Sequence, residues 1–309
     1  MVNWLVIGIG DITRKRVLPA IGEVPRSHLH AILTRDPRKG EAYPGVHLYT
    51  SLETALADPA IDAVYVASPV ALHAEQTIAS LRAGKHVLCE KPTAMNFAEA
   101  QSMVEAARAA HRLFAVAFYR RLFPKLLRAK QLIAEGVIGQ PTLIQAAFHG
   151  WLESEDRAWL RDPALAGGGP LFDTGSHRID AANFLFGQPA RATGLLSNTV
   201  HHLLVEDSAS ILIDYESRAR AIIDVRWNSH ITRDEFRIIG TDGEVDLTPL
   251  SGPTLRYAGI EQQLPTHPNV HLPAIENFVA AILDSAPLAC PGHEAILTDW
   301  ITQAVMDTR

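Results

Sequence analysis

Short apolar runs alternate with helical stretches over the first 120 residues. Clusters of β-branched residues predict strands, and apolar positions recurring every three or four residues predict helices. The predicted strands are Trp4–Ile9, His30–Leu33, Ala63–Ala67, His86–Cys89 and Leu113–Phe118, and the predicted helices are Thr13–Val24, Ser51–Ala57, Leu72–Ala83 and Asn96–Ala110. Because these strands are almost entirely apolar, they are expected to form a doubly wound parallel sheet covered by helices on both faces.

The pattern changes after Pro124. A helix is predicted up to Gly136, and after a strand and an irregular stretch another helix follows over Asp173–Phe186. Alternating apolar and polar positions then predict hairpins. The strands of this half are Leu143–Phe148, Ser210–Tyr215, Arg220–Trp227, Glu235–Ile239 and Glu244–Leu247, with a helix over Ala274–Leu283. We therefore expect an α/β protein with a Rossmann domain over residues 1–120. Residues 121–309 should form an α+β domain on a largely antiparallel sheet, for substrate binding and dimerisation.

Composition narrows the function classes. Of 309 residues, 47% are hydrophobic and 20% charged, and the formal net charge is −6, as in an ordinary globular protein. No block of Lys and Arg favours nucleic acid or an anionic membrane as a partner, and no apolar run approaches the ~20 residues of a membrane span. Cys89 and Cys290 form neither a disulfide framework nor a zinc spacing. The expectation is a cytoplasmic protein without a metal site.

A glycine-containing turn lies between the first strand and the first helix. Its sequence is Gly8-Ile9-Gly10-Asp11-Ile12. Glycines let the backbone approach phosphates, whose charge then meets the helix N-terminus. The third position of the fingerprint is Thr13 instead of glycine. The turn and its position predict a dinucleotide pyrophosphate site.

Two further segments contain groups capable of chemistry. Glu90-Lys91-Pro92 follows a strand, which places the lysine at the carboxyl edge of the sheet, and proline permits a cis bond there. Gly167–Gly169 precedes Asp173 and His177, which are spaced i, i+4 on one helix face. A carboxylate beside an imidazole suits a general base for an alcohol proton. Each residue also has an alternative without a catalytic role. Lys91 can be a solvated lysine at a strand end. Asp173 can accept hydrogen bonds from the N–H groups at the start of the helix, and His177 can be unrelated to it.

The order of these segments resembles that found in the glucose–fructose oxidoreductase/inositol dehydrogenase (Gfo/Idh/MocA) family. The resemblance runs over nearly the whole chain and becomes weaker after about residue 250. The matching features are Gly8-x-Gly10, Asp62 to Pro69 with His73, Ala83 to Pro92, Trp159 to Arg161, the triple glycine, and Asp173-x-x-x-His177. The segment around Glu90-Lys91-Pro92 is the most specific of them. Two departures are Thr13 and Val70, the latter where many relatives have asparagine.

The resemblance implies roles for individual residues. Lys91, Asp173 and His177 would form the catalytic group, with the last two also contacting substrate. Arg121 would face the substrate pocket. The cofactor would be contacted by Gly8, Ile9, Gly10, Asp11, Ile12, Thr34, Arg35, Ser68, Pro69, His73, Glu90, Lys91, Trp159 and Arg161.

The implied function is reversible hydride transfer between a nicotinamide and a carbinol or carbonyl carbon of a sugar, cyclitol or related polyhydroxy compound. His177 would exchange the hydroxyl proton, Asp173 would orient it, and Lys91 would polarise the oxygen. One alternative is a non-catalytic NAD(P)-binding regulator or sensor. Another is a related enzyme acting on dihydrodiols, unsaturated bonds or glycosides.

The end of the second predicted strand favours NADP over NAD as the cofactor. An NAD enzyme places an acid there, where it bonds the ribose hydroxyls. This sequence has Thr34-Arg35-Asp36, and Arg35 can pair with a 2′-phosphate. A one-residue shift of the strand end would instead put Asp36 at the ribose and restore NAD. The resemblance also implies a homo-oligomer, a dimer or tetramer, assembled through the C-terminal sheet.

Overall fold

A computed structural model describes residues 1–40, 42–152 and 155–308, without the side chains of residues 155–157. The chain separates into two compact units. Unit 1 comprises Met1–Tyr119 with His267–Ile296, and unit 2 comprises Arg120–Thr266 with Leu297–Arg309. The α-helices are α1 (Leu18–Glu23), α2 (Leu52–Leu56), α3 (His73–Arg82), α4 (Phe97–Ala110), α5 (Pro124–Ala134), α6 (Pro163–Ala166), α7 (Ser176–Phe186), α8 (Leu272–Asp284) and α9 (Gly292–Met306).

Unit 1 contains a parallel sheet. Its strands are β1 (Val2–Ile7), β2 (Ser27–Leu33), β3 (His47–Tyr49), β4 (Ala63–Val66), β5 (His86–Cys89) and β6 (Phe114–Val116). Their order is β3-β2-β1-β4-β5-β6, and every adjacent pair is parallel. The strand order reverses between β1 and β4, which is the arrangement of a Rossmann sheet. The predicted doubly wound sheet is therefore confirmed. The sequence analysis missed β3, a short edge strand that is only partly apolar.

Both faces of this sheet are buried. Trp4 and Val6 pack with residues of α1 and α8 on one face, and the Trp4 and Phe278 rings lie 5.6 Å apart between centroids. Leu5 and Ile7 pack on the other face, in a cluster with residues of α3 and α4. Successive strand residues point to opposite faces, so an unbroken apolar run is needed wherever helices cover both.

The segment His267–Ile296 departs from the predicted domain division. The sequence analysis assigned all of 121–309 to the second domain, whereas the contacts place this segment in unit 1. The physical reason is the apolar face of α8, whose Ile275, Phe278 and Val279 are buried in the same cluster as Trp4. An amphipathic helix shows that one face is buried, but its periodicity does not show against which sheet.

Unit 2 is built on a mostly antiparallel sheet, as predicted. Its strands are β7 (Pro141–Trp151), β8 (Pro189–Ser197), β9 (Ser208–Tyr215), β10 (Arg220–Arg226), β11 (Asn228–Gly240), β12 (Glu244–Asp246), β13 (Thr254–Tyr257) and β14 (Ile260–Gln263). Their order is β14-β13-β12-β11-β7-β10-β9-β8, and β7 and β10 are parallel neighbours. Not predicted from the sequence were the strands β8, β13 and β14, which contain many polar or small residues, and the helices α6 and α9; α6 lies within the stretch expected to be irregular.

Two predicted helices begin with a π-helical turn instead of regular α-helix. One turn, Thr13–Val17, leads into α1, and the other, Leu171–Gly175, leads into α7. Such single turns occur frequently at functional sites. Both follow a glycine segment that the sequence analysis singled out. In the ranges that the structure describes, no helix is long and apolar enough to cross a membrane.

Candidate functional site

The glycine turn in unit 1 follows β1 and precedes the π-helical turn at Thr13. Gly8 has a φ of +91°, and a Cβ atom there would lie 2.7 Å from the carbonyl oxygen of Ala67. Glycine is therefore required at position 8 so that the chain can pass the loop after β4. A Cβ at Gly10 would meet nothing within 4 Å, so this side of the turn is open to a ligand. Thr13 is fully buried.

The loop after β2 separates Arg35 from its acidic neighbour. Asp36 Oδ1 and Oδ2 accept hydrogen bonds of 2.9 and 3.0 Å from the Arg38 guanidinium. This bonding by Arg38 lowers the pKa of Asp36. The Arg35 side chain is exposed and has no hydrogen bond or ion pair among the described residues. Arg38 therefore holds the acid, whereas the Arg35 guanidinium is available to an anion.

His73 connects the loops that follow β4 and β5. Its ring is 1% exposed, with Nε2 2.9 Å from the Ser68 carbonyl oxygen and Nδ1 3.0 Å from that of Pro92. Burial lowers the pKa of His73, although both carbonyl groups oppose this shift. Each ring nitrogen faces a backbone carbonyl oxygen, and the imidazole donates to whichever one its N–H faces, so His73 links the Ser68-Pro69 loop to the Pro92 loop. The contact between His73 and the cofactor that the family resemblance implies stays a prediction.

The Glu90-Lys91-Pro92 segment follows β5, and the Lys91–Pro92 bond is cis. Glu90 is buried, and its Oε1 accepts a hydrogen bond of 2.7 Å from the Tyr65 hydroxyl group. Lys91 is half-buried at the end of the strand. Four of the loops that follow strands of this sheet thus present Gly10, Arg35, Ser68 and Lys91, at the edge where ligands bind in open α/β folds.

The triple glycine in unit 2 packs against protein. A Cβ at Gly167 or Gly168 would lie 2.5 or 2.4 Å from the Phe172 ring, and one at Gly169 would lie 2.0 Å from the Glu206 carbonyl oxygen. Phe172 and Glu206 account for all three.

Asp173 and His177 lie on either side of a helix junction. Asp173 is half-buried in the π-helical turn, and His177 is 6% exposed in the first turn of α7. Glu206 positions the start of this turn, because its Oε1 accepts the N–H groups of Gly169 at 2.9 Å and Leu171 at 3.1 Å. A buried carboxylate bonded in this way also complements the positive end of a helix.

Glu206 and Asp207 are two organising residues that sequence reasoning missed. Neither was among the predicted site residues, and they are only 2% and 0% exposed. Asp207 Oδ2 accepts the N–H groups of Val200 and His201 at 2.8 and 3.1 Å. The signal available in the sequence was their place directly before the apolar strand β9.

Arg121 has a different environment from the one expected. It was predicted to face a substrate pocket, but it is 2% exposed and paired with Asp180 of α7, with Nη2 2.8 Å from Oδ1. Asp180 is itself 1% exposed. A guanidinium paired with a buried carboxylate serves to hold α7, because leaving either charge buried without its partner is costly. We therefore treat Arg121 as a residue that positions the helix of His177.

Trp159 and Arg161 lie in a 3₁₀ segment, Glu155–Arg161. Trp159 is 40% exposed and Arg161 is half-buried. A large aromatic ring left this exposed is available for contact with another molecule. Over residues 1–40, 42–152 and 155–308, no three His, Cys, Asp or Glu side chains are grouped so that they could hold a metal ion.

Family models match both halves of the chain. A model described as "Oxidoreductase family, NAD-binding Rossmann fold" matches residues 2–118. A second, described as "GFO/IDH/MocA C-terminal domain", matches residues 126–246.

Individual relatives extend this similarity over nearly the whole chain. The chain is 30% identical to a 1,5-anhydro-D-fructose reductase from Ensifer adhaerens, over 96% of this chain and 92% of that protein. It is 25% identical to a scyllo-inositol 2-dehydrogenase (NADP(+)) from Bacillus subtilis, over 97% and 90% respectively. The crystal structure of an aldose-aldose oxidoreductase from Caulobacter crescentus superposes with a TM-score of 0.89 at 24% identity, covering 100% of this chain and 98% of the other. The predicted resemblance is confirmed, and the chain belongs to the Gfo/Idh/MocA family of oxidoreductases with an NAD-binding Rossmann domain.

Proposed function

We propose that this protein is an NAD(P)-dependent oxidoreductase that interconverts a carbinol and a carbonyl group in a sugar, cyclitol or related polyhydroxy compound. The observation that carries the proposal is the edge of the parallel sheet, where the Gly8–Gly10 turn, Arg35, Ser68 and Lys91 follow the four strands β1, β2, β4 and β5, which are adjacent in the sheet. The substrate class is supported by the family and by the names of its relatives, an anhydrofructose reductase and an inositol dehydrogenase.

The residues of unit 1 fit a dinucleotide. The open space beside Gly10 admits a pyrophosphate, and the following helix presents its N-terminal N–H groups. A bound nicotinamide dinucleotide supplies or accepts the hydride. Lys91 would polarise the substrate oxygen and stabilise developing negative charge on it. His177 would exchange the hydroxyl proton, and Asp173 would orient its ring.

A substrate screen tests this function. The protein is incubated with NAD⁺ or NADP⁺ and a panel of sugars, polyols and cyclitols, and in the reverse direction with NADPH or NADH and sugar-derived dicarbonyls. Nicotinamide absorbance reports turnover, and product analysis separates alcohol oxidation from reduction of a carbon–carbon double bond. Dinucleotide binding without turnover on any of these compounds would instead support a non-catalytic sensor.

We further propose that NADP is preferred to NAD. Arg35 is exposed without a partner among the described residues, whereas Asp36, the competing acid, is bonded to Arg38. Thr34 is buried, and its hydroxyl group accepts the Asp36 N–H at 3.2 Å, so it contributes to the shape of this loop.

Arg35→Asp should lower kcat/KM for NADP by about 10–100-fold, because a charge-assisted contact to phosphate contributes about 1.5–3 kcal/mol. Its kcat/KM for NAD should fall much less. Arg82→Asp, at an exposed arginine of α3 in the same unit, is the matched control. The preference is measured as the ratio of kcat/KM for the two cofactors. A wild type that prefers NAD, or a ratio unmoved by Arg35→Asp, contradicts the assignment.

We also propose that the protein self-associates through the open face of the unit 2 sheet. Leu195, Leu212 and Ile222 lie on neighbouring strands and are 76%, 36% and 48% exposed. Leu212 and Ile222 are register partners and therefore share a face. An apolar patch on one face of a sheet is typically covered by another surface.

Ile222→Glu should weaken this association, because it places a charge inside the apolar patch. Light scattering at micromolar concentration should give the wild type a mass above the 33.8 kDa of one chain and should give the variant a lower mass. Ile260→Glu, at an exposed position of β14, should behave as wild type. A monomeric wild type would exclude the proposed interface.

A further inference from the structure

A buried carboxylate lies directly before Lys91 in unit 1. Glu90 is 8% exposed and has three bonding partners, two of them distant in the chain. Its Oε1 lies 2.7 Å from the Tyr65 hydroxyl group of β4 and 3.1 Å from His271 Nε2, and its Oε2 accepts the Lys91 N–H at 3.2 Å. A buried carboxylate is stable only when its lone pairs are satisfied, so these donors determine where Glu90 lies.

These contacts also determine the charge of Glu90. Burial by itself would raise the pKa of this carboxyl group. The hydrogen bond and charge of His271 oppose burial, together with the Tyr65 hydroxyl group and the Lys91 charge, and the resulting pKa lies below the ordinary value of 4.5. Burial and the Glu90 charge raise the pKa of Tyr65, which therefore remains a hydrogen-bond donor. Glu90 is consequently an anion at neutral pH.

His271 has no other polar role that the structure describes. It is 2% exposed, and its side chain does not cap α8, although the residue stands at the N-terminus of that helix. Its Nδ1 has no hydrogen-bond partner within the described residues, and its ring packs 4.8 Å from the Tyr119 ring. An apolar ring would pack there equally well. The contact that favours an imidazole over an apolar ring at position 271 is therefore the hydrogen bond to Glu90, among the contacts that the structure describes.

We propose that His271 is a positioning residue for Lys91: it holds Glu90 in place, and Glu90 in turn accepts the Lys91 N–H and fixes the backbone from which the Lys91 side chain extends. The inference rests on the proposed function, in which Lys91 polarises the reacting oxygen.

His271→Phe removes the hydrogen bond and keeps the ring packing. We expect kcat at neutral pH to fall about 10-fold, with the dinucleotide Kd within about threefold of wild type. The pKa of Glu90 should rise, because burial is then less opposed, so the acid-side loss of kcat should begin at higher pH. The titratable groups that act on this carboxylate are Tyr65, His73, Lys91 and His271, and Cys89 and Tyr119 act on its partner Tyr65.

Urea unfolding of the cofactor-free protein provides a readout independent of activity. A carboxyl group with a lowered pKa stabilises the fold above its unfolded pKa, and this contribution is lost as pH falls through the folded pKa. His271→Phe removes the contribution. The loss of unfolding free energy relative to wild type should therefore be largest above about pH 6 and should shrink towards about pH 4. A loss of packing alone would not depend on pH in this way.

Two further variants complete the experiment. His293→Phe, at an exposed histidine of α9, should match wild type in both readouts. His271→Gln keeps a neutral donor and should give intermediate effects, and it replaces the phenylalanine variant if that one does not fold. The role of His271 would be overturned if the acid side of the kcat–pH profile were unchanged and the loss of unfolding free energy did not depend on pH. Absence of turnover in the wild type would instead refute the proposed function, and the unfolding series would still test the His271–Glu90 coupling.

Discussion

Lys91→Met is expected to reduce kcat by about 10³-fold or more, because it removes the cation proposed to stabilise negative charge on the reacting oxygen. Methionine has about the length of the aliphatic part of lysine and lacks the ammonium group, so the end of β5 should be undisturbed. In the proposed function the dinucleotide is held mainly by the glycine turn and the loop after β2. The Kd of the cofactor, measured by fluorescence titration, should therefore stay within about threefold of wild type.

The control for this variant is Lys130→Met, which makes the same exchange at an exposed lysine of α5 in unit 2. Its kcat and cofactor Kd should both equal those of wild type. Turnover of Lys91→Met within a few-fold of wild type would remove Lys91 from the catalytic group. A large loss of cofactor binding would assign the lysine to the dinucleotide instead.

His177→Ala is expected to lower kcat by about 10²–10⁴, the range for losing a general acid–base. Asp173→Asn should act in the same direction with a smaller effect, because the imidazole remains and only its orientation and charge stabilisation are weakened. Steady-state kinetics on the best substrate of the screen give kcat and KM for each variant. His293→Ala serves as the control, because that histidine is exposed on α9.

The split between kcat and KM decides the role of His177. A change in KM alone would make the histidine a substrate contact and would leave Lys91 as the proton carrier. Circular dichroism of each variant checks α7, because His177 is buried in its first turn and truncation leaves a cavity. A folded His177→Ala variant with normal kcat would contradict the general acid–base assignment.

Local patterns in the sequence determined most of the unit 1 fold and the positions of its candidate site residues. Apolar runs such as Ala63-Val64-Tyr65-Val66 predict buried parallel strands, because both faces of such a strand must be apolar. The glycine turn and Glu90-Lys91-Pro92 were located for a similar reason, since a residue directly after a parallel strand lies at the ligand-binding edge whatever else the chain does. The family resemblance supplied the candidate roles.

What only the tertiary structure decided depends on residues far apart in the chain. Glu90 and His271 are 181 positions apart, and Arg121 and Asp180 are 59 apart. No periodicity or spacing links such pairs, because the hydrogen bond exists only after α8 has packed on the unit 1 sheet or α7 has formed in unit 2. For the same reason the sequence did not reveal the contact between Glu206 and the triple glycine. Their close contact depends on where two loops meet, which is determined by packing and not by local propensity.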